Sequence, residues 1–279
     1  LAKGFLGTAN VDTNSRLCMS SAVAAHIRAF GEDAPPSNYE DIEIADLVVL
    51  TGSNLAWAHP VIFQRLQHAR KLSPNKKLVV IDPRKTATAK EADLHLAIKP
   101  GTDGQLFNAL LVYLATHDGI DHDYINQHVD GFQETLAAAK ADVGTSTADQ
   151  ARTCGIDEAS LLSFFDYFLK TQKTTTVWSM GINQSESGVD KGNAIINCHL
   201  ATGRIGKPGA SPFSITGQPN AMGGREVGGL ANQLAAHRMF DAQSISRVQA
   251  FWEAPNIATK PGLKAVDLFD AALAGKIKV

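Results

Sequence analysis

Apolar residues in this chain cluster in short solid runs rather than in strict alternation. Ala45-Asp46-Leu47-Val48-Val49-Leu50, Leu78-Val79-Val80-Ile81, Leu94-His95-Leu96-Ala97-Ile98 and Thr174-Thr175-Thr176-Val177-Trp178 are four such runs. Short runs rich in valine, isoleucine and threonine predict strands buried on both faces, as in a parallel sheet. Between them lie helical stretches. Residues 19–30 are rich in helix formers and meet a stop at Gly31; 61–73 follow Pro60 and are apolar at Ile62, Leu66 and Ala69. A helix over 104–116 opens at Thr102 or Asp103, either of which can cap it. Residues 121–172 read as mainly helical, and a helix over 189–202 ends at Gly203. Strand–loop–helix units at this spacing predict an α/β fold, a Rossmann-like parallel sheet covered by helices.

From Gly206 to Gly229 the pattern breaks: seven glycines and three prolines predict a loop, too long to be idle in a compact domain. Its segment Thr216-Gly217-Gln218-Pro219-Asn220-Ala221-Met222-Gly223-Gly224-Arg225 suits a loop that wraps a ligand. A polar helix is expected near 229–240 and another near 245–254. The chain begins at Leu1 and closes on Lys276-Ile277-Lys278-Val279, which reads as the opening of a strand. An internal piece of a longer protein is therefore expected.

With 279 residues the chain is long enough for one large domain or two ordinary ones. Hydrophobic content of 44% and charged content of 19% describe a well-cored globule, and the formal net charge of −2 favours neither nucleic acid nor an anionic membrane. No run approaches the roughly 20 apolar residues of a membrane span, and no signal peptide opens the sequence. Cys18, Cys154 and Cys198 are too few and too scattered for a disulfide framework or a CxxC metal pair. A reducing setting is the expectation.

In an open α/β sheet ligands bind beyond the carboxyl ends of the strands. Three predicted strand ends carry polar turns: Thr51-Gly52-Ser53-Asn54, Asp82-Pro83-Arg84-Lys85-Thr86 and Pro100-Gly101-Thr102-Asp103. Gly52 allows the backbone close to a phosphate, with Ser53 and Asn54 as donors. Asp82 can accept from a ribose or a guanine edge, and Arg84 and Thr86 can bind phosphate oxygens. Neither GxGxxG nor GxxxxGK[ST] is present, and a plain turn explains any one of these loops taken alone. A lone cysteine is more often a small buried hydrophobe than a ligand. Asp12-Thr13-Asn14-Ser15-Arg16-Leu17-Cys18, however, is polar and places the thiol at a helix opening, which favours the metal-binding thiolate. Cys198 reads as core packing and Cys154 as a helix or loop end. The His117-Asp118 and Asp121-His122-Asp123 groups read as a solvated turn rather than a metal site.

Several of these segments together carry a resemblance. Asn14-Ser15-Arg16-Leu17-Cys18-Met19-Ser20-Ser21-Ala22 resembles the metal-ligand segment of the bis-molybdopterin guanine dinucleotide oxidoreductases, the group that includes dimethyl sulfoxide reductase. Thr51 to Asn54, Ile81 to Arg84, Pro100 to Asp103, Met180-Gly181-Ile182-Asn183-Gln184, and Leu200 to Gly203 through Thr216 to Gly228 are similar to other segments of that group. The resemblance covers essentially the whole chain. Within the group it is strongest to the catalytic subunit of bacterial assimilatory nitrate reductases. Met19 stands where formate dehydrogenases usually carry histidine, and Met222-Gly223-Gly224 stands where periplasmic nitrate reductases typically carry cysteine and alanine.

The resemblance implies these roles. Cys18 would be the protein's ligand to molybdenum, beside the sulfurs of two pterins. Arg225 would attract nitrate and stabilise charge as an N–O bond breaks, and Met19 and Met180 would line that pocket. Gly52, Ser53 and Asn54 would hold a pyrophosphate. Asp82, Arg84 and Thr86, with Gly101, Thr102 and Asp103, would hold a guanosine end. Gly181, Asn183, Gln184, Gly217 and Gln218 would border the pterin. The implied reaction is oxygen-atom transfer from nitrate to leave nitrite. It implies an electron donor (ferredoxin, flavodoxin or an NADH-linked reductase) that docks on other parts of the parent. The parents also carry a four-cysteine motif for a [4Fe-4S] cluster; this chain has none, and as a fragment it is expected to be inactive. The expected organisation is a cofactor-binding domain over 1–235 and a helical tail over 236–279. Two alternatives stay open: another member of the group, such as a periplasmic nitrate reductase or formate dehydrogenase, and a cofactor-free scaffold domain.

Overall fold

A computed structural model describes residues 1–218 and 220–277. Pro219 of the glycine-rich segment, and Lys278 and Val279 of the expected terminal strand, lie outside the described residues. The chain divides into two compact units: Ser21–Gly217, and a second assembled from Leu1–Ser20 and the residues from Gln218 on. These units are cut elsewhere than at the expected 235/236 boundary. Among the described residues no helix is long and apolar enough to cross a membrane.

The larger unit is built on one five-stranded sheet. Its strands are β1 (Leu47–Thr51), β2 (Lys77–Ile81), β3 (Leu94–Leu96), β4 (Thr174–Trp178) and β5 (Ser211–Ser214). Their order is β3-β2-β1-β4-β5, and every pairing is parallel. The solid apolar runs of the sequence are explained by burial on both faces. Leu47 and Val49 of β1 enter one core cluster, with Val79, Leu110, Phe164 and Trp178; Val48 and Leu50 enter the other, with Leu78, Val80, Val177 and Phe213. Side chains alternate across a strand, so a strand covered by helices on both faces has no polar face to show. The threonines of β4 are fully buried and satisfied locally; Thr176 Oγ1 lies 2.8 Å from His199 Nε2. Burial holds that imidazole well below the usual histidine range, hence neutral.

The covering helices fall near the expected places: Ser20–Phe30, Pro60–Leu72, Asp103–Thr116, Glu158–Lys170 and Gly188–Ala201. Residues 121–172 are mainly helical, as the pattern predicts. The glycine-rich segment differs from expectation. It contains β5 and a short helix, Ala221–Glu226. Strand β5 is an edge strand, where Pro212 can sit because one row of backbone groups needs no partner. The polar helix expected near 229–240 does not form: residues there are turns and bends, and Ala236 and His237 both have positive φ, near 54° and 57°. An α-helix cannot pass through that region.

The smaller unit has its own apolar cluster of Leu234, Val248, Ala254 and Ile257, with helices Ala242–Trp252 and Ala265–Leu273. Polar contacts tie its two stretches of chain together. Asp12 accepts from Arg16 Nε at 2.8 Å and from the backbone N–H groups of Ala231 and Ala265, both at 3.1 Å. Buried Lys3 donates to the carbonyls of Gly228, Leu230 and Gln233.

Candidate functional site

Chain order in the sheet reverses between β1 and β4: β2 and β3 extend to one side of β1, while β4 and β5 extend to the other. Connections leave the two central strands in opposite directions at such a switch point, so a crevice opens at their carboxyl ends. A cleft of about 400 Å³ lies there, within the roughly 300–1,000 Å³ of small-molecule sites. Its walls come from the ends of four strands: Gly52, Ser53 and Asn54 after β1, Asp82 and Arg84 after β2, Pro100, Gly101 and Asp103 after β3, and Ser179, Met180 and Gly181 after β4.

The floor depends on two glycines. Gly52 has φ +56°, and a Cβ built there would stand 2.8 Å from the backbone of Gly181; one on Gly181 would stand 2.5 Å from Gly52 Cα. The two backbones touch, with Gly181 N–H donating to Gly52 O at 3.0 Å. Gly52's own N–H is committed to Ile81 O at 3.0 Å, so the donors left to the cleft at this turn are on Ser53 and Asn54. Ser53 Oγ is buried and has no hydrogen-bond partner among the described residues. Asn54 Oδ1 accepts from Thr88 Oγ1 at 2.8 Å, which leaves the amide nitrogen as the free end of that side chain. An unsatisfied buried hydroxyl is costly unless something completes it, and a ligand oxygen in the cleft would do so.

Asp82 is buried, and its Oδ1 accepts from the backbone N–H of Arg84 at 2.8 Å. Arg84 itself is exposed, its Nε 3.9 Å from Asp82 Oδ1, a cation at the rim. Across the cleft Asp103 forms a buried ion pair with Lys191 Nζ at 2.9 Å. Lys191 carries no motif and sits within the helix expected over 189–202, so the sequence offered no signal for its part in the cleft.

Of the residues expected to bind cofactor, the cleft therefore gathers Gly52, Ser53, Asn54, Asp82, Arg84, Gly101, Asp103 and Gly181, together with Met180. Thr86, Thr102, Asn183, Gln184 and Gly217 belong to the same unit but do not line it. Thr86 Oγ1 accepts from Ala89 N–H at 3.2 Å. Thr102 occupies the N-cap position yet does not cap: its hydroxyl donates to Lys99 O at 2.8 Å. Asn183 is buried with Oδ1 accepting from Trp178 Nε1 at 3.2 Å, an internal brace. Gln184 is exposed.

Cys18, Met19, Gln218 and Arg225 belong to the other unit. Cys18 is half-buried and closes a one-turn helix, Ser15–Cys18, rather than opening one; the Ser20–Phe30 helix starts two residues later. Arg225 is buried in the Ala221–Glu226 helix, with Nη2 3.3 Å from Met222 Sδ. Among the described residues no three His, Cys, Asp or Glu side chains gather as a metal site. His117 and Asp121, in the polar turn, are spent on structure. His117 Nδ1 lies 2.9 Å from Tyr113 O, and Asp121 Oδ1 caps Tyr124 N–H. Cys198 is core, its Sγ donating to Phe107 O at 3.2 Å, and Cys154 ends the Thr147–Cys154 helix ahead of a left-handed Gly155.

A nitrate reductase of Shewanella frigidimarina is 54% identical over 99% of this chain and 29% of its own length. A nitrate reductase of Klebsiella oxytoca is 50% identical over 100% of this chain and 31% of its own. This chain thus spans about a third of the length of these curated relatives. The solved structure of acetylene hydratase from Pelobacter acetylenicus superposes on 74% of the chain with a TM-score of 0.61 at 22% identity, a likeness of fold. The family profile described as molybdopterin oxidoreductase matches residues 1–279, the whole sequence, and the chain belongs to that family.

Proposed function

We propose that this chain is part of a molybdenum nitrate reductase, in which it holds a guanosine-bearing arm of a bis-molybdopterin guanine dinucleotide cofactor and supplies a thiolate to the metal. The observation that carries the reading is identity above one half, over essentially the whole chain, to a protein named a nitrate reductase. The cleft fits the expected group: an uncompleted Ser53 hydroxyl, a side-chain-free floor at Gly52 and Gly181, and a rim cation at Arg84 suit a pyrophosphate. The carboxylates of Asp82 and Asp103 suit the N–H donors of a purine and the O–H donors of a ribose. When bound, the cofactor supplies the two-electron oxygen-atom chemistry. The protein's part is to orient and to balance charge. Cys18 offers one soft ligand. Arg225 offers a fixed cation for an anionic substrate. In the larger unit Met180 offers a water-excluding wall of the cleft, and in the smaller unit buried Met19 offers an apolar surface of its own. The finer assignment to the assimilatory, cytoplasmic branch is supported by Met222-Gly223-Gly224.

The test is made in the complete enzyme that contains this chain, with a reduced viologen dye as electron source. Nitrate-dependent dye oxidation with nitrite release is expected, and Cys18→Ala should remove it. Formate oxidation without nitrate turnover would overturn the reading.

A further inference from the structure

Asp103 and Lys191 form a buried ion pair whose position is not explained by stability. Asp103 opens the Asp103–Thr116 helix, and Lys191 lies in the first turns of the Gly188–Ala201 helix. Their side chains are only 10% and 4% exposed. Burying two charges costs about what their attraction returns, and an apolar pair of the same volume often serves a core as well or better. An ammonium near a helix N-terminus also opposes the helix dipole. What distinguishes the pair is its orientation. Asp103 lines the switch-point cleft; Lys191 does not, and so stands behind it. The Lys191 stem runs alongside Gly104, where a Cβ would meet it at an ordinary contact distance, 3.7 Å from Cγ. Lys191 Nζ holds Asp103 Oδ2 at 2.9 Å, and Oδ1 makes no hydrogen bond among the described residues.

We propose that Lys191 is a positioning residue that holds Asp103 turned to the cleft, so that its carboxylate selects guanine over other bases. This rests on reading the cleft as the guanosine site. Guanine alone among the common bases offers two adjacent donors, N1–H and the exocyclic amine, to a planar acceptor with two oxygens. A carboxylate free to rotate would lose that match.

The experiment uses the 279-residue chain with three probes, guanosine, inosine and adenosine diphosphates, titrated by calorimetry. Inosine differs from guanosine only by the missing exocyclic amine. The wild-type chain should prefer guanosine over inosine diphosphate by roughly ten-fold, the discrimination expected of one bidentate contact. Lys191→Met should reduce that preference to about two-fold or less, and Lys191→Arg should restore it. The ratio of two affinities is unaffected by the fraction of protein folded, so mere destabilisation would weaken both ligands and leave it intact. If Lys191→Met does not fold, Lys191→Gln is measured instead, with the same loss of preference expected. An unchanged preference in the Met or Gln variant overturns the role of Lys191 alone. A wild-type chain with no preference for guanine overturns that role together with the guanosine assignment of the cleft.

Discussion

Gly52 shows how much of the cleft hangs on a missing atom. Its positive φ and the 2.8 Å approach to Gly181 both exclude a side chain. Gly52→Ala should cost about 2–4 kcal/mol, the sum of left-handed strain and overlap with backbone that cannot step aside. Urea denaturation checks it. Gly104→Ala is the internal contrast: the position is helical and has room, so the substitution should be neutral or gain up to about 1 kcal/mol. Arg204 makes the opposite point about a buried cation without a carboxylate. Its guanidinium donates to the carbonyls of Phe168, Thr171 and Gln172 and lies 4.2 Å over the Phe168 ring, and burial pulls its pKa down to about 10. Arg204→Met leaves those carbonyls unpaired and should cost about 3 kcal/mol in the same measurement.

Helices gain their fixed places on the sheet from a few cross-links as well as from apolar burial. The Asp103–Lys191 pair joins the two longest helices that pack on β1 and β4's core cluster. Breaking it from one side strands a buried charge, so Asp103→Leu or Lys191→Met alone should destabilise by about 3–5 kcal/mol. The double replacement should recover most of that loss. A thermodynamic cycle from denaturant melts of the four proteins measures the coupling, and additive losses would contradict it. The Thr176–His199 contact is a neutral counterpart. Because burial holds His199 well below the usual histidine range and so uncharged near neutrality, Thr176→Val should cost about 1 kcal/mol equally at pH 7 and pH 8.5.

At the scale of the molecule, the smaller unit is held by groups from both of its chain segments, and Asp12 makes it sensitive to acid. Burial works to raise the Asp12 pKa, but hydrogen bonds from Arg16 and from Ala231 N–H outweigh it and hold the carboxyl below the usual range. The folded value thus lies under the unfolded one, so the folded state releases its proton first. The resulting stabilisation is fully present above the unfolded pKa of about 4 and is lost as pH falls through the folded value. Between pH 5 and pH 2 the wild-type protein should therefore lose stability more steeply than Asp12→Asn, followed by urea melts at each pH. Equal slopes would remove Asp12 from the account.

The sequence by itself determined the sheet's central strands, most helices and the polar turns that border the cleft. Burial on both faces leaves a local record: β1, β2 and β4 are solid runs of apolar and β-branched residues, whatever they pair with. It also determined Cys18 and Arg225 as candidates, because a resemblance spread over many short segments survives without knowledge of contacts. Strand order, the switch between β1 and β4, and the contact of Gly52 with Gly181 were decided only by tertiary structure. So were the capping failure of Thr102, the inward use of Asn183, and the pairing of Asp103 with Lys191. Each depends on which distant residue arrives as a neighbour. Periodicity reports that a side chain is buried; it carries no information about what the side chain is buried against.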